Sequence, residues 1–178
     1  MLNRAPRLLF ISVRNGLIAG SLGFIFLLAL YNMGKHPFLF PIYFDFRIIL
    51  FTVFMVMGLK ELRDYHQHGE LSFGQGMVSN LVFTAIFAMI IASLTWIFCV
   101  IEPRFLSDYI KIAMAQMESI APAVIEQLGK EAYERNLNGL PATKASDLAL
   151  DYFAKSFIVS FFISIIISVI LRRQPKTN

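Results

Sequence analysis

Residues Met77–Ile101 read MVSNLVFTAIFAMIIASLTWIFCVI, twenty-five positions without one Asp, Glu, Lys, Arg or His. An α-helix rises about 1.5 Å per residue, so roughly 20 apolar residues cross the hydrocarbon core of a bilayer, which is about 30 Å thick. This stretch is therefore predicted to be a transmembrane helix. Because it carries no acidic, basic or imidazole group, it also disfavours a secondary transporter, which generally needs such a group inside the membrane.

The composition of the whole chain agrees with a membrane protein. Of its 178 residues, 57% are hydrophobic and only 16% are charged, against about 45–50% and about 25% in a typical soluble domain. The net charge is +4, but the basic residues stand at the ends of apolar segments, where they anchor helices in a bilayer, so nucleic acid is not an expected partner. The single cysteine excludes an intrachain disulfide.

Hydropathy predicts an all-α polytopic membrane protein with four transmembrane helices and a small helical insert between the third and the fourth. The spans are predicted at residues 16–33, 38–59, 73–101 and 156–171, and the insert at residues 102–155. The third span opens with Ser72 and, three residues later, Gln75, which is the pattern of a helix capping box. The second span is the weakest, because Asp45 and Arg47 interrupt it upstream of its firm part, Ile48–Leu59.

The distribution of basic residues predicts how the spans are oriented. The two chain ends and the loop after the second span carry eight Lys and Arg against three acids, whereas the loop after the first span carries only two Lys and Arg. Short segments rich in Lys and Arg stay in the cytoplasm, and long segments cross largely regardless of charge. Both termini are therefore predicted to be cytoplasmic, and the insert to lie on the other side of the membrane.

The insert has the pattern of an amphipathic helix followed by further helical pieces. Apolar residues recur at spacings of three or four at Leu106, Ile110, Ala113, Met117 and Ile120. We expect a small helical cap, with this stripe packed internally or lying on the membrane surface. The alternative is a groove that binds a partner.

Rows of small residues indicate where helices approach one another. The first span contains Gly16 and Gly20 in a GxxxG pattern, and the fourth carries a serine at every fourth position: Ser156, Ser160, Ser164 and Ser168. Small residues allow close contact between helices in lipid. These rows are predicted either to pack the helices of one chain or to form a seam with a second copy or another membrane protein; a polar lining for a permeation path is the third reading.

A few polar residues are weak candidates for a site. His66 and His68, flanked by Asp64 and Glu70, form the one cluster with metal-ligand residue types, but a solvated turn explains it, so no metal is predicted. Asp45 and Arg47 are predicted to anchor the second span at the interface, beside the aromatic residues Tyr43, Phe44 and Phe46.

No catalytic motif was found: the chain lacks a G-x-S-x-G elbow, a phosphate-binding loop, an H-E-x-x-H helix and a glycine-rich dinucleotide turn. We therefore predict a protein that is not an enzyme and that needs no cofactor. An enzyme acting on lipid would require Asp64, His66, His68 and Glu70 to converge on one pocket at the interface.

The motifs Lys60–Asp64 and Gly69–Gln75, followed by the long apolar span that closes on Glu102-Pro103, resemble an uncharacterised family of four-span membrane proteins found widely in Bacteroidota. The similarity extends over most of the chain. It implies the four-span architecture and a bacterial inner membrane, and it supplies no catalytic residues.

The favoured function is that of an accessory protein or scaffold, which binds another membrane protein, or itself, through its small-residue faces or its cap. The alternative is a small transporter or lipid-handling protein. That alternative would require a polar cavity reaching the middle of the membrane between the serine row and Asn80 or Thr84.

Overall fold

The computed structural model describes residues 4–39 and 46–173, and these residues form seven α-helices. The helices are α1 (Arg4–Asn32), α2 (Phe46–Glu61), α3 (Phe73–Ile101), α4 (Pro103–Glu118), α5 (Pro122–Leu128), α6 (Lys130–Gly139) and α7 (Ala145–Leu171). Shorter helical turns occupy Pro37–Leu39, Leu62–His66 and Leu140–Ala142. The predicted all-helical class is confirmed for the described part of the chain.

Helix α3 begins where the capping pattern predicts. The Ser72 hydroxyl accepts a hydrogen bond from the Gln75 backbone N–H at 3.3 Å, and the Gln75 side chain accepts one from the Ser72 backbone N–H at 3.1 Å. Both bonds satisfy amides that the start of a helix leaves without an intrahelical partner. Beyond the other end of α3, Pro103 opens α4 at a first-turn position, where its missing N–H costs no hydrogen bond.

Three helices are long and apolar enough to cross a membrane: Pro6–Asn32 within α1, and the whole of α3 and α7. Only 28 to 33% of the residues in their most apolar windows are buried inside the protein. Many of the other apolar side chains are exposed, among them Ile25, Trp96 and Phe162, an arrangement that lipid satisfies and water does not. Three helices thus have the length and composition of membrane spans, which indicates a membrane protein. Helix α2 has 16 residues and rises only about 24 Å.

The helices extend beyond the predicted spans. The first span, predicted from residue 16, lies in a helix that begins at Arg4, and Ile11 is already buried. The fourth, predicted from residue 156, is the second half of a helix that begins at Ala145, inside the predicted insert. The second was predicted from residue 38, but Pro37–Leu39 form a separate turn, residues 40–45 lie outside the described residues, and α2 begins at Phe46. Hydropathy marks the apolar part of a helix, not its hydrogen-bonded length.

Helix α3 packs against both α1 and α7, and α2 contacts α1 and α7. Aromatic side chains fill the space between α2 and α3. The ring of Phe51 lies 4.8 Å from that of Phe87 and 6.1 Å from that of Phe83, measured between centroids. All three side chains are buried and belong to the hydrophobic core, which joins α2 to α3.

The packed helices have two distinct ends. At one, Arg7 Nη1 lies 3.3 Å from His66 Nδ1, and Leu71 and Arg173 exchange backbone hydrogen bonds of 2.9 Å. We call this the terminal end, because it joins the start of α1, the α2–α3 turn and the end of α7. The opposite end, which carries α4, α5 and α6, is the insert end.

Candidate functional site

Gly16 and Gly20 lie in the contact between α1 and α3. A Cβ added at Gly16 would stand 2.8 Å from Ile86 Cβ and 2.9 Å from the Phe83 carbonyl oxygen. At Gly20 the nearest atom, Ile90 Cβ, would be 3.0 Å away. Real Cβ atoms essentially never approach as closely as at Gly16, and the distance at Gly20 is tighter than nine in ten real Cβ contacts. The glycines therefore set the distance between the two helices.

The four serines of α7 are fully buried inside the chain, each with 0% exposure. Ser156 accepts a hydrogen bond from Arg47 of α2 at 3.4 Å, and Ser164 Oγ lies 3.8 Å from the sulfur of Met55. Ser168 accepts one from Asn80 of α3 at 3.4 Å. The serine row therefore faces α2 and α3, and within the described residues it serves contacts of one chain with itself.

A small cavity between α1, α2 and α3 is lined by both polar residues, including Asn80, and apolar residues such as Phe54. Ser12 and Ser79 are hydrogen-bonded at 2.8 Å on its wall, and the cavity measures about 10 Å³. That volume is enough for one water molecule at most. Thr84 bonds to the Asn80 carbonyl of its own helix at 2.8 Å. This space is far smaller than the polar cavity that a transport function would need.

Replacing Ser168 with alanine is expected to lower the free energy of unfolding by about 0.6 kcal/mol, the average for a hydrogen bond between membrane helices. The change removes the acceptor of the Asn80 amide and preserves the packing of Cβ. Thermal unfolding in detergent measures it. The control is Ser93→Ala, an exposed serine of α3, which should leave the Tm unchanged. Equal Tm shifts in the two variants would show that the Asn80 bond adds nothing.

Arg47 corrects the prediction of an interfacial anchor. Its side chain is buried, its guanidinium lies 4.4 Å from the centre of the Tyr152 ring, and it donates to Ser156. A buried arginine needs such partners, because an isolated charge is costly away from water. The residue therefore ties α2 to α7 near the insert end. Asp45, its predicted companion, lies outside the described residues.

A histidine that the sequence analysis did not single out is buried in an aromatic box at the insert end. His36 is 5% exposed, and its ring centre lies 4.6 Å from that of Phe105, 5.4 Å from Tyr109, 5.9 Å from Phe38 and 6.0 Å from Tyr31. These rings come from α1, the turn after it and α4. The box thus fastens the insert to the end of the first membrane helix.

The hydrogen-bond partner of His36 fixes the tautomer of its neutral ring. Nε2 lies 3.0 Å from the Phe105 carbonyl oxygen, which can only accept, so Nε2 carries the hydrogen. Nδ1 is buried and has no hydrogen-bond partner among the described residues. Burial lowers the pKa of His36, since the charged imidazolium would lose its hydration. Nearby, the Tyr31 hydroxyl donates to Asp108 at 2.9 Å, which adds a polar tie between α1 and α4.

The polar residues of the α2–α3 turn do not converge on one pocket. Asp64 accepts two hydrogen bonds from Arg63, at 2.6 and 3.1 Å, and these bonds hold the pKa of its carboxyl below the usual value. His66 contacts Arg7, and His68 is exposed with a left-handed backbone, φ 55°. Within residues 4–39 and 46–173, no three His, Cys, Asp or Glu side chains are placed to hold a metal ion.

The sequence model of one protein family, described as "Protein of unknown function (DUF4199)", matches residues 14–173. The chain belongs to this family. The resemblance to an uncharacterised family is thereby confirmed over nearly the whole chain. No curated protein and no solved structure matches it.

In this DUF4199 protein, the functional candidates that sequence reasoning missed are His36 and its box. The partners of His36 are far apart in sequence: Phe105 is 69 positions away. The only local signal was a histidine beside a proline in a segment with Tyr31 and Phe38, and such a signal does not distinguish a buried imidazole from a solvated one.

Proposed function

We propose that this DUF4199 protein is a four-span protein of the bacterial inner membrane, with both termini in the cytoplasm. The position of helix α2, which carries the predicted second span, supports a total of four spans. Its Gly58 faces Asn15 of α1, where an added Cβ would meet Nδ2 at 2.8 Å, and its Arg47 reaches Ser156 of α7. It therefore runs at the same depth as two helices of membrane length. The concentration of Lys and Arg at the terminal end supports the cytoplasmic assignment.

The proposed function is accessory and non-catalytic: the protein binds another membrane protein through its insert. The observation that carries this proposal is the exposure of α6 and of the described side chains of α5. None of the ten residues of α6 is buried, and Val124 of α5 is 43% exposed. Helices gain most of their stability from burying an apolar face. A pair of short helices with so little burial offers a surface that a second protein would cover.

The contacts of the small residues favour this location over the alternative faces. Gly16 and Gly20 are occupied by α3, and the serines of α7 by α2 and α3. A partner that used these rows would have to displace a helix of the same chain. The α5–α6 surface needs no such displacement. The cavity of about 10 Å³ beside Asn80 lends a transporter no support.

The test is purification of the full chain from its native membrane in a gentle detergent, followed by mass spectrometry. We expect a stoichiometric membrane-protein partner with the wild type, and a loss of at least tenfold in its recovery with Val124→Asp, about 1.4 kcal/mol. The matched control is Ile112→Asp, an apolar residue of α4 with 38% exposure. Wild-type protein recovered without a partner would refute the accessory function. Equal losses in both variants would refute the α5–α6 surface.

A further inference from the structure

An apolar groove runs between α2 and α7 on the outward face of the protein. It measures about 440 Å³, and its walls include Ile48 and Val56 on α2 and Ile163, Ile167 and Leu171 on α7. The hydroxyl of Thr52, also in the wall, donates to the Ile48 carbonyl at 2.8 Å, so its hydrogen is already used within α2. The groove therefore offers an apolar surface along about two and a half turns of each helix.

One end of this groove is strongly basic. It closes at Leu171, whose carbonyl oxygen lies 3.5 Å from Arg63 Nη1, and the next residue is the exposed Arg172. Arg173 follows and is held to the α2–α3 turn by its backbone bonds to Leu71. The apolar groove thus ends at three arginines from two separate parts of the chain.

The acids at the terminal end neutralise only some of its basic residues. The described side chains there are Arg7, Arg14, Lys60, Arg63, Arg172 and Arg173 against Glu61, Asp64 and Glu70. Glu61 forms an ion pair with Arg14, and Asp64 forms one with Arg63. Three positive charges therefore remain in excess, and they lie where a membrane-length helix ends, at the level of lipid headgroups.

We propose that the α2–α7 groove is a binding site for an anionic phospholipid, with an acyl chain along the groove and the phosphate beside Arg172. The occupant must be apolar along the helices and negative at the terminal end, and a phospholipid meets both demands. A partner helix fits less well, because close helix contacts in lipid use small residues. The rim carries the bulky Ile166 and Ile170 instead, with exposures of 58% and 71%.

The test uses the full chain in bilayer discs of phosphatidylcholine with increasing phosphatidylglycerol, and native mass spectrometry to count retained lipid. We expect phosphatidylglycerol to be retained in preference to phosphatidylcholine. Arg172→Gln should weaken its apparent affinity about fivefold, the effect of one basic residue near an anionic surface. The control is Arg104→Gln, whose side chain is 87% exposed at the insert end and which removes the same charge. It should retain lipid like the wild type.

A second variant tests the groove itself. Ile166→Trp should fill the groove and release the same lipid, with all the arginines intact. If Arg172→Gln loses stability in pure phosphatidylcholine, Ile166→Trp still tests whether the lipid occupies the groove. Equal retention of the two lipids, equal weakening by Arg104→Gln, or full retention in Ile166→Trp would each overturn the proposal. Equal binding of glycerol phosphate without acyl chains, or a polypeptide found in the groove in place of lipid, would overturn it as well. These outcomes are independent of whether a partner binds α5 and α6.

Discussion

Replacing Gly16 with alanine is expected to lower the Tm of the detergent-solubilised protein by about 3–10 °C, which corresponds to about 1–3 kcal/mol of overpacking. The added methyl group would stand 2.8 Å from Ile86 Cβ and 2.9 Å from the Phe83 carbonyl oxygen. Neither atom is the end of a flexible side chain, since one is fixed to the backbone and the other belongs to it. Helices α1 and α3 would therefore have to move apart along their shared contact.

The matched control for Gly16→Ala is Gly74→Ala in the first turn of α3. A Cβ there would have no neighbour within 4 Å, so the substitution tests glycine removal without a clash. Alanine favours a helix over glycine by up to about 1 kcal/mol, so the Tm of this variant should stay level or rise slightly. A Gly16→Ala protein as stable as Gly74→Ala would show that α1 and α3 do not depend on this close approach.

The pattern that predicts Gly16 is local, and this explains why it could be found from the sequence. A GxxxG pair lies on one face of one helix, so helical spacing alone marks a place of close approach, although it does not say which helix packs there. The bounds of α3 have the same origin, since the bonds between Ser72 and Gln75 are made within four residues. Where the deciding contact lies within one helix turn or one helix face, the sequence is sufficient.

Arg47 and His36 show where that reasoning ends. From the sequence, Arg47 stands at the edge of an apolar span and is read as an anchor in the headgroup region. In the structure it is buried on Tyr152 and Ser156, residues of a helix more than one hundred positions away. Whether a charged side chain turns toward lipid headgroups or into the protein depends on which helix lies beside it. No periodicity within α2 contains that information.

His36 should make the attachment of the insert sensitive to pH. The folded protein holds the imidazole neutral, with Nε2–H bonded to the Phe105 carbonyl and Nδ1 facing aromatic rings. Burial lowers the pKa of His36 below its ordinary value of 6.5, so the unfolded chain binds a proton more readily than the folded one. The contribution of His36 to stability is therefore complete above about pH 6.5 and is lost as the pH falls through the lowered pKa.

We expect the wild-type Tm to fall between about pH 7.5 and about pH 5, and hydrogen exchange in α4 to rise over the same interval. His36→Gln keeps a side-chain N–H that can donate to Phe105, and it does not titrate. Its Tm should be lower than that of the wild type near neutral pH, because the amide fills the box less well, and the difference should shrink as the pH falls. His68→Asn is the control: it removes an exposed histidine and keeps a residue type that tolerates the left-handed backbone.

Two other titratable groups near the box, Asp108 and Tyr109, bear on the expected pH response of His36. Asp108 accepts the Tyr31 hydroxyl bond, and its negative charge works against the effect of burial on His36. Tyr109, whose pKa is raised by burial, stays neutral throughout the interval. Protonation of His36 would place an N–H at Nδ1 with no acceptor among the described residues, and that cost disappears once α4 separates from α1. If the Tm of His36→Gln runs parallel to that of the wild type across this pH interval, the box does not respond to protonation. If the two Tm curves converge at low pH while His68→Asn stays parallel to the wild type, the response belongs to His36.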